Sequence, residues 1–501
     1  MKFLLKAGEI QFESTPLLML GMVEDTTELS PSAAKIDNTL GGQISQIIAD
    51  GDFKGKLKEL ALLYPAQNST ARRVLLVGLG KMEKISLESI RCAAGIASKR
   101  ARELGVSSFT SEIFGLEING IAAADAAQAW VEGAALSLYE FRALKSEKGN
   151  HKIEEITLVV PAPRLAEAQP GVDAGKAIVE GVCLTRDLVN LPSNIATPAF
   201  LASQAQAMAE KFNLTCQVLD EAQMKELGMG ALLAVAQGSD QPAHLIILEH
   251  NANKTELDTL VLAGKGITFD SGGISIKPSE GMEKMTADMA GAAAVIGAMQ
   301  VIAALNLPLH MVGLAPAVEN MPGGKAYKPG DVVRAMNGKT VEIISTDAEG
   351  RMLLIDALCY AARYKPQAVV DIATLTGARV IALGDFAAGL YSNSDNLIHR
   401  LTAAGQKTYE RVWAMPMFEE YEESLKSVVA DYKHTGGRPG GSITAAKFIE
   451  KFTAFPWAHL DIAGLVTADT DKPYAPKGAN GYGVRLLVQF LRDWAAAGGG
   501  H

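Results

Sequence analysis

The sequence predicts an α/β protein of two domains, the second built on a largely parallel central sheet flanked by helices. Three observations lead to that reading. Apolar strand-like runs alternate with helical stretches along the chain. In the second half these runs follow one another in the pattern of a sheet covered on both faces. A length of 501 residues also favours more than one domain.

Taken in order, the first ~165 residues supply the strand candidates "PLLMLGMV", "RRVLLVGLG" and "EEITLVV". Between them lies the helical stretch "LESIRCAAGIASKRAREL". "GLGKME" has Glu83 where a dinucleotide-binding turn needs its third glycine, so a plain strand-to-helix turn is the better reading. The prolines of "PAPRLAEAQPG" break the pattern, and "VDAGKAIVEGVCLTRDLVN" follows as a helix. These features divide the chain into an N-terminal α/β domain at 1–165, a linker helix at 166–190 and a second domain at 191–501. The second domain offers the strands "CQVLD", "HLIILEH", "TLVLAGKG", "HMVGLAPA", "VEIIST", "AVVDIATL" and "WAHLDIAG". Its helices include "AGAAAVIGAMQVIAAL" and "MLLIDALCYAARY". The tail "AAAGGGH" reads as mobile.

Composition narrows the class. Hydrophobic content of 48% provides for large cores. A net charge of −9 argues against general nucleic-acid affinity. Four cysteines lie far apart with no CxxC pair, which fits a reducing cytoplasm. The opening "MKFLLKAGEIQFEST" has too short an apolar run for a signal peptide. "AGAAAVIGAMQVIAAL" is short of a membrane span and reads as a buried helix, so no membrane partner is expected.

Polar clusters stand at several strand ends, where open α/β sheets form their sites. "LVLAGKGITFDSGG" delivers Lys265 and Asp270. "VEIISTDAEGR" delivers Asp347, Glu349 and Arg351. "VVDIATLTGA" delivers Thr374, Thr376 and Gly377, and "KPSEGMEKMTADMAGAAA" carries Lys277 and Asp288. Four acids in one crevice repel unless cations neutralise them. Oxygen-rich sites suit Mg²⁺, Mn²⁺ or Zn²⁺, and four acids are about right for two metals sharing ligands. No HExxH pair is present. Read singly, these residues have plainer roles. Stretches such as "DAEG" and an Asp like Asp270 cap turns in many proteins, and Lys265 between glycines can be a loop lysine. Their shared position at strand ends, in glycine-rich contexts, favours a site. A lysine beside two metals can ligate as a neutral amine, while a second can stay charged and polarise a carbonyl. Arg351 opens a helix, where a cation opposes the dipole, so an anion there is expected.

These residues lie in motifs that resemble a known family. "GKGITFDSGGISIKP", "DMAGAAAV", "ENMPGGKAYKPGDV", "TDAEGR" and "DIATLTGA" are closely similar to the cytosolic leucine aminopeptidases, the two-metal M17 peptidases. "RDLVNLPSN" and "WAHLDIAG" match as well. The resemblance covers about 190–490. It implies a cytoplasmic metal-dependent exopeptidase that removes unblocked N-terminal residues, leucine preferred. It implies Lys265, Asp270, Asp288, Asp347 and Glu349 as ligands of two divalent ions, with Mn²⁺, Zn²⁺ and Mg²⁺ all fitting. Asp270 and Glu349 would bridge both ions. Lys277 and Arg351 match the catalytic positions, with bicarbonate on Arg351 as general base. Met285, Thr374 and Gly377 match positions lining the pocket for the first side chain. The family is typically a homohexamer. Ser345 and Met352 depart from the usual signature, though neither is a ligand position.

Two other classes compete. A two-metal phosphoesterase should show histidine ligands or extra cations, and neither is evident. DNA binding, known for some bacterial relatives, gains nothing from the acidic balance.

Overall fold

Alternation explains the sheet of the first compact unit, Met1–Val179 with Thr470–Lys477. Along two of its strands successive apolar side chains fall to opposite faces. Leu17, Met19, Leu75 and Val77 join one core; Leu18, Leu20, Val74 and Leu76 join the other. The computed structural model describes residues 1–25, 28–65, 70–146 and 152–498. In it this sheet has six strands, ordered Lys2–Ala7, Glu155–Val160, Ser108–Glu112, Leu18–Val23, Val74–Gly80 and Leu60–Leu63. Every neighbouring pair is parallel except the last. Helices Leu87–Glu103 and Ala123–Ser137 cover one face around Trp130, Phe109 and Phe114. Ser86 and Ser89 close a reciprocal capping box at the start of the first of these helices.

Thr470–Lys477 belongs to this unit although it lies near the other end of the chain. Tyr474 donates its hydroxyl proton to Glu88 Oε2 at 2.8 Å. Lys99 Nζ donates to the Lys472 carbonyl at 2.7 Å. Gly95 permits the approach: a Cβ there would stand 2.7 Å from the Pro473 oxygen.

The division between units falls inside a single helix, Leu165–Asn190. The prolines were expected to break the pattern before this helix, but Pro170 lies within it. Pro170 is exposed and near the helix start, while Ala168, Gly171 and Val172 are buried around it. One missing hydrogen bond near the end does not outweigh that apolar stripe.

The second unit is Glu180–Asp469 with Gly478–His501. Its sheet has nine strands. The order runs Val412–Ala414, Ala388–Ser392, Trp457–Asp461, Ala368–Ala373, Thr259–Gly264, His310–Asn320, His244–His250 and Thr215–Leu219. Gly266–Asp270 pairs beside His310–Asn320. The central neighbours are parallel. Antiparallel pairs flank them. Helix Ala290–Ala304 is buried along most of its length and packs on one face. Gly230–Ala236, Gly350–Ala361 and Gly441–Glu450 contribute to the core on the other. The one described segment long and apolar enough to cross a membrane, Met282–Ala304, is mostly buried in this core. The last helix runs Val484–Ala496, so Ala495 and Ala496 of the tail expected to be mobile are its final residues and Ala497 and Gly498 turn away from it; 499–501 lie outside the described residues.

One strand differs from expectation. Only Val341 and Glu342 of "VEIIST" are strand, within Thr340–Glu342 of a small three-stranded sheet with Val332–Arg334 and Tyr432–Lys433. The following residues leave the ladder to form the loop that carries Asp347.

Candidate metal centre

Main-chain bonds fix where each acid begins. The Lys265 N–H donates to the Ile372 carbonyl at 3.1 Å, and its carbonyl accepts from Ala292 N–H at 2.8 Å. It is thus pinned between strand Ala368–Ala373 and helix Ala290–Ala304. Asp270 ends its own strand, in register with Asn320. Asp288 closes the 3₁₀ turn Met282–Ala287. Glu349 stands immediately before helix Gly350–Ala361, two residues beyond Asp347.

The side chains converge. Lys265 Nζ lies 2.8 Å from Asp288 Oδ2 and 2.7 Å from Glu349 Oε1, and donates to the Thr374 carbonyl at 2.8 Å. Lys277 Nζ lies 2.8 Å from Asp270 Oδ2 and also pairs with Asp347. One carboxylate oxygen from each of Asp270, Asp347 and Glu349 falls within 4.8 Å of the others. The four acids therefore share two ammonium groups, leaving uncompensated negative charge when all are ionised.

The titration shifts express that crowding. Burial pushes Asp288 up to about 8; Lys265 pulls it back, while Asp270 and Glu349 push it further. Burial raises Glu349, with Asp270 adding to the rise. Burial also raises Asp347. Burial by itself would lower Lys265, but Asp288, Glu349 and Asp270 outweigh it and hold the ammonium well above its usual range. Lys277 behaves alike. The neutral amine expected of Lys265 therefore requires cations in the crevice, because the carboxylates alone favour the ammonium. The donor set fits divalent cations. Glu349 Oε2 is buried with no hydrogen-bond partner among the described residues, and hard oxygens predominate.

Local sequence makes this packing possible. A Cβ on Gly350 would stand 2.6 Å from Lys265 Cδ and 2.9 Å from its Nζ, so only glycine lets the lysine pass. Gly272 has φ +86°, and a Cβ there would meet Asp347 Oδ1 at 2.9 Å. The plain turn role holds in part for Asp270, whose Oδ1 accepts from Gly272 N–H at 2.9 Å. It does not hold for Glu349, whose side chain caps nothing at its helix start.

Residues outside the predicted set hold the acids in place. Asn320 Nδ2 donates to Asp270 Oδ1 at 2.8 Å and to the Thr346 carbonyl at 3.0 Å. Tyr327 donates to the same carbonyl at 3.0 Å. Thr346 Oγ1 donates to the Gly272 carbonyl at 2.6 Å. Asn320 and Tyr327 both lie in "ENMPGGKAYKPGDV", a run whose polar residues carried the available signal.

The other predicted residues are more spread. Thr374 Oγ1 donates to Asp288 Oδ1 at 2.6 Å, which orients that carboxylate. Thr376 caps helix Gly377–Leu383 and donates to the buried Asp461 at 2.6 Å. Gly377 opens that helix, exposed, with no atom within 4 Å of where a Cβ would be. Met285 is half-buried on the turn before Asp288. Arg351 is buried, and burial pushes its pKa down to about 10. Its Nη1 donates to the His434 carbonyl at 2.7 Å, and its Nε has no hydrogen-bond partner among the described residues. "HTGGRPGGS" turns at Arg438–Gly441 into helix Gly441–Glu450.

Comparison with known proteins follows the same division of the chain. Residues 19–148 match the N-terminal domain of the cytosol aminopeptidase family, and residues 183–488 match its catalytic domain. A probable cytosol aminopeptidase of Roseiflexus castenholzii is 46% identical over 502 residues, covering 99% of this chain and 100% of the relative. Another from Geotalea uraniireducens is 48% identical over 461 residues, covering 91% and 92%. Among solved structures, a tomato leucine aminopeptidase mutant superposes with a TM-score of 0.87 at 34% identity, covering 98% of this chain and 97% of that one. The bottromycin maturation enzyme BotP in complex with Mn gives 0.85 at 33% identity, covering 96% and 99%.

Proposed function

The chain belongs to the cytosol aminopeptidase family and is a metallohydrolase of that kind; from this premise we propose that it removes unblocked N-terminal residues from peptides, leucine preferred, in cytoplasmic peptide turnover. The observation that carries the reading is the convergence of Asp270, Asp347 and Glu349, with Asp288 joined to Glu349 through Lys265. We assign the chemistry to residues 191–501, with 1–165 a separate α/β domain and 166–190 the linker helix.

In this reading Lys265, Asp270, Asp288, Asp347 and Glu349 hold two divalent ions, Mn²⁺ or Zn²⁺ with Mg²⁺ also fitting. Bound there, such ions neutralise the acids, activate a water and polarise the substrate carbonyl. Lys277 sits beside Asp270 and Asp347, where its ammonium steadies the oxygen that gains charge as the peptide carbonyl is attacked. Arg351, buried and without a carboxylate partner among the described residues, would hold bicarbonate as the proton acceptor. That assignment meets a need, since no acid of the cluster is left over to act as base. Met285, Thr374 and Gly377 would border the pocket for the first side chain. The large apolar side chains of Ile381 and Phe386 are exposed, the kind of surface that subunit contacts in a homohexamer cover.

Hydrolysis of leucine anilide tests the reading. Wild type and Asp347→Ala are assayed after chelation and again after Mn²⁺ is restored. Activity should return in wild type only. Equal activity in the two proteins would remove the metal assignment.

A further inference from the structure

Ladder pairing between Thr340–Glu342 and Tyr432–Lys433 stops at Glu342 and Lys433. Beyond that point one side chain continues the connection. The His434 backbone N–H donates to the Glu342 carbonyl at 3.2 Å. The Ile344 N–H donates to His434 Nδ1 at 3.1 Å, and Nε2 lies 2.7 Å from the Ser345 carbonyl. These partners decide the tautomer. With Nδ1 accepting, the ring proton must sit on Nε2, where it meets the Ser345 oxygen. The other tautomer would offer Nδ1–H to the Glu342 carbonyl at 3.2 Å. It would leave the Ile344 N–H facing a hydrogen and the Ser345 oxygen facing a lone pair. A charged ring fails at Ile344 for the same reason. The ring is fully buried, and burial with the nearby Arg351 charge pushes its pKa down to about 4.

The backbone of the same residue faces the site. Its carbonyl takes the 2.7 Å hydrogen bond from Arg351 Nη1. One residue thus grips Ile344 and Ser345, just before Asp347, and the guanidinium just after Glu349. We infer that His434 is a positioning residue for the hydrolysis: its ring clamps the loop that leads into Asp347 and Glu349, and its carbonyl sets Arg351 against that loop. This rests on the roles proposed above for Arg351 and the acids. Residues 89 apart in sequence are joined by the Ser345 bond alone, so the clamp is a tertiary device rather than a local turn.

The Mn²⁺-loaded protein, assayed on leucine anilide, tests the inference with His434→Ala, His434→Gln and His434→Asn. Glutamine can carry its Nε2–H to the Ser345 carbonyl. Asparagine can offer Oδ1 to the Ile344 N–H. His434→Ala should lower kcat about 10–100-fold, the scale for losing a group that orients a metal-site residue, while KM moves less than about threefold. The Gln and Asn variants should each recover part of that loss. Combined with Arg351→Ala, the alanine change should cost much less than it does alone, because part of its effect runs through the guanidinium. The inference is overturned if folded His434→Ala keeps kcat within about twofold of wild type, whatever its melting temperature. Should that variant not fold, Gln and Asn variants with wild-type kcat overturn it equally. A fully active Arg351→Ala would instead sink the anion role, and leave the His434 comparison readable against wild type.

Discussion

Two lysines divide the acids of the site, and the two halves are built differently. Lys265 is 3% exposed and faces Asp288 at 8% and Glu349 at 2%. Lys277 is 20% exposed and reaches Asp347 at 39%. The closed half hangs on the main sheet and its covering helices: the Lys265 backbone is bonded to a strand and a helix, and Gly350 is shaped to its side chain. The open half is mixed: Asp270, 3% exposed, ends a strand beside Asn320, while Lys277 and Asp347 sit on loops held by Asn320, Thr346 and the His434 ring. Charge interactions strengthen where water is excluded, so the closed half governs whether the site exists at all. The open half is where solvent and substrate enter, so it governs turnover.

Replacing each lysine by methionine sharpens that contrast most. In the ion-free protein, Lys265→Met leaves two buried carboxylates without their cation and should cost about 3–5 kcal/mol in urea denaturation. Lys277→Met also uncovers the buried Asp270, but its other partner Asp347 is half-exposed, so the loss should be smaller, about 1–3 kcal/mol. It should lower kcat about 10²–10³-fold in the metal-loaded enzyme. Equal losses of stability in the two variants would break the division into halves.

A pH series probes the loop side. The His434 pKa falls to about 4 in the folded protein from an ordinary 6.5. Between those values the unfolded chain binds more protons, so stability must rise with pH. The contribution is complete above about 6.5 and is lost as pH falls toward 4, up to about 3 kcal/mol in all. His434→Gln has no ring proton to gain, so its urea midpoints at pH 7 and pH 5 should lie closer together than those of wild type. Parallel midpoints in both proteins would contradict the neutral ring.

The smallest change tests the closed half alone. Gly350→Ala places a methyl group against the Lys265 stem and should destabilise by about 1–3 kcal/mol. The melting temperature of the ion-free protein should drop, and an unchanged value would show that Lys265 has room to move.

Much of this was legible in the sequence because polar residues follow apolar runs. Asp270 ends one strand and Thr374 directly follows another, and apolar stretches announce both strands. Other parts left weaker traces. Ser108–Glu112 is a strand of mostly polar residues, recognisable only by its neighbours in the sheet. Pro170 misled because the buried stripe around it is a tertiary fact. "VEIIST" has strand composition throughout, yet only two residues of it, Val341 and Glu342, find ladder partners. His434 left no pattern at all, since it acts through ring contacts to backbone groups and through its own carbonyl.

The eight residues Thr470–Lys477 bear on how the protein is made. The N-terminal unit cannot complete its packing around Glu88 and Gly95 until they exist. Residues 180–469 must be synthesised first, about 15–60 s at 5–20 residues per second. Through that interval the nascent unit waits on the ribosome with the seat of Tyr474 unfilled, and a chain truncated before 470 never fills it.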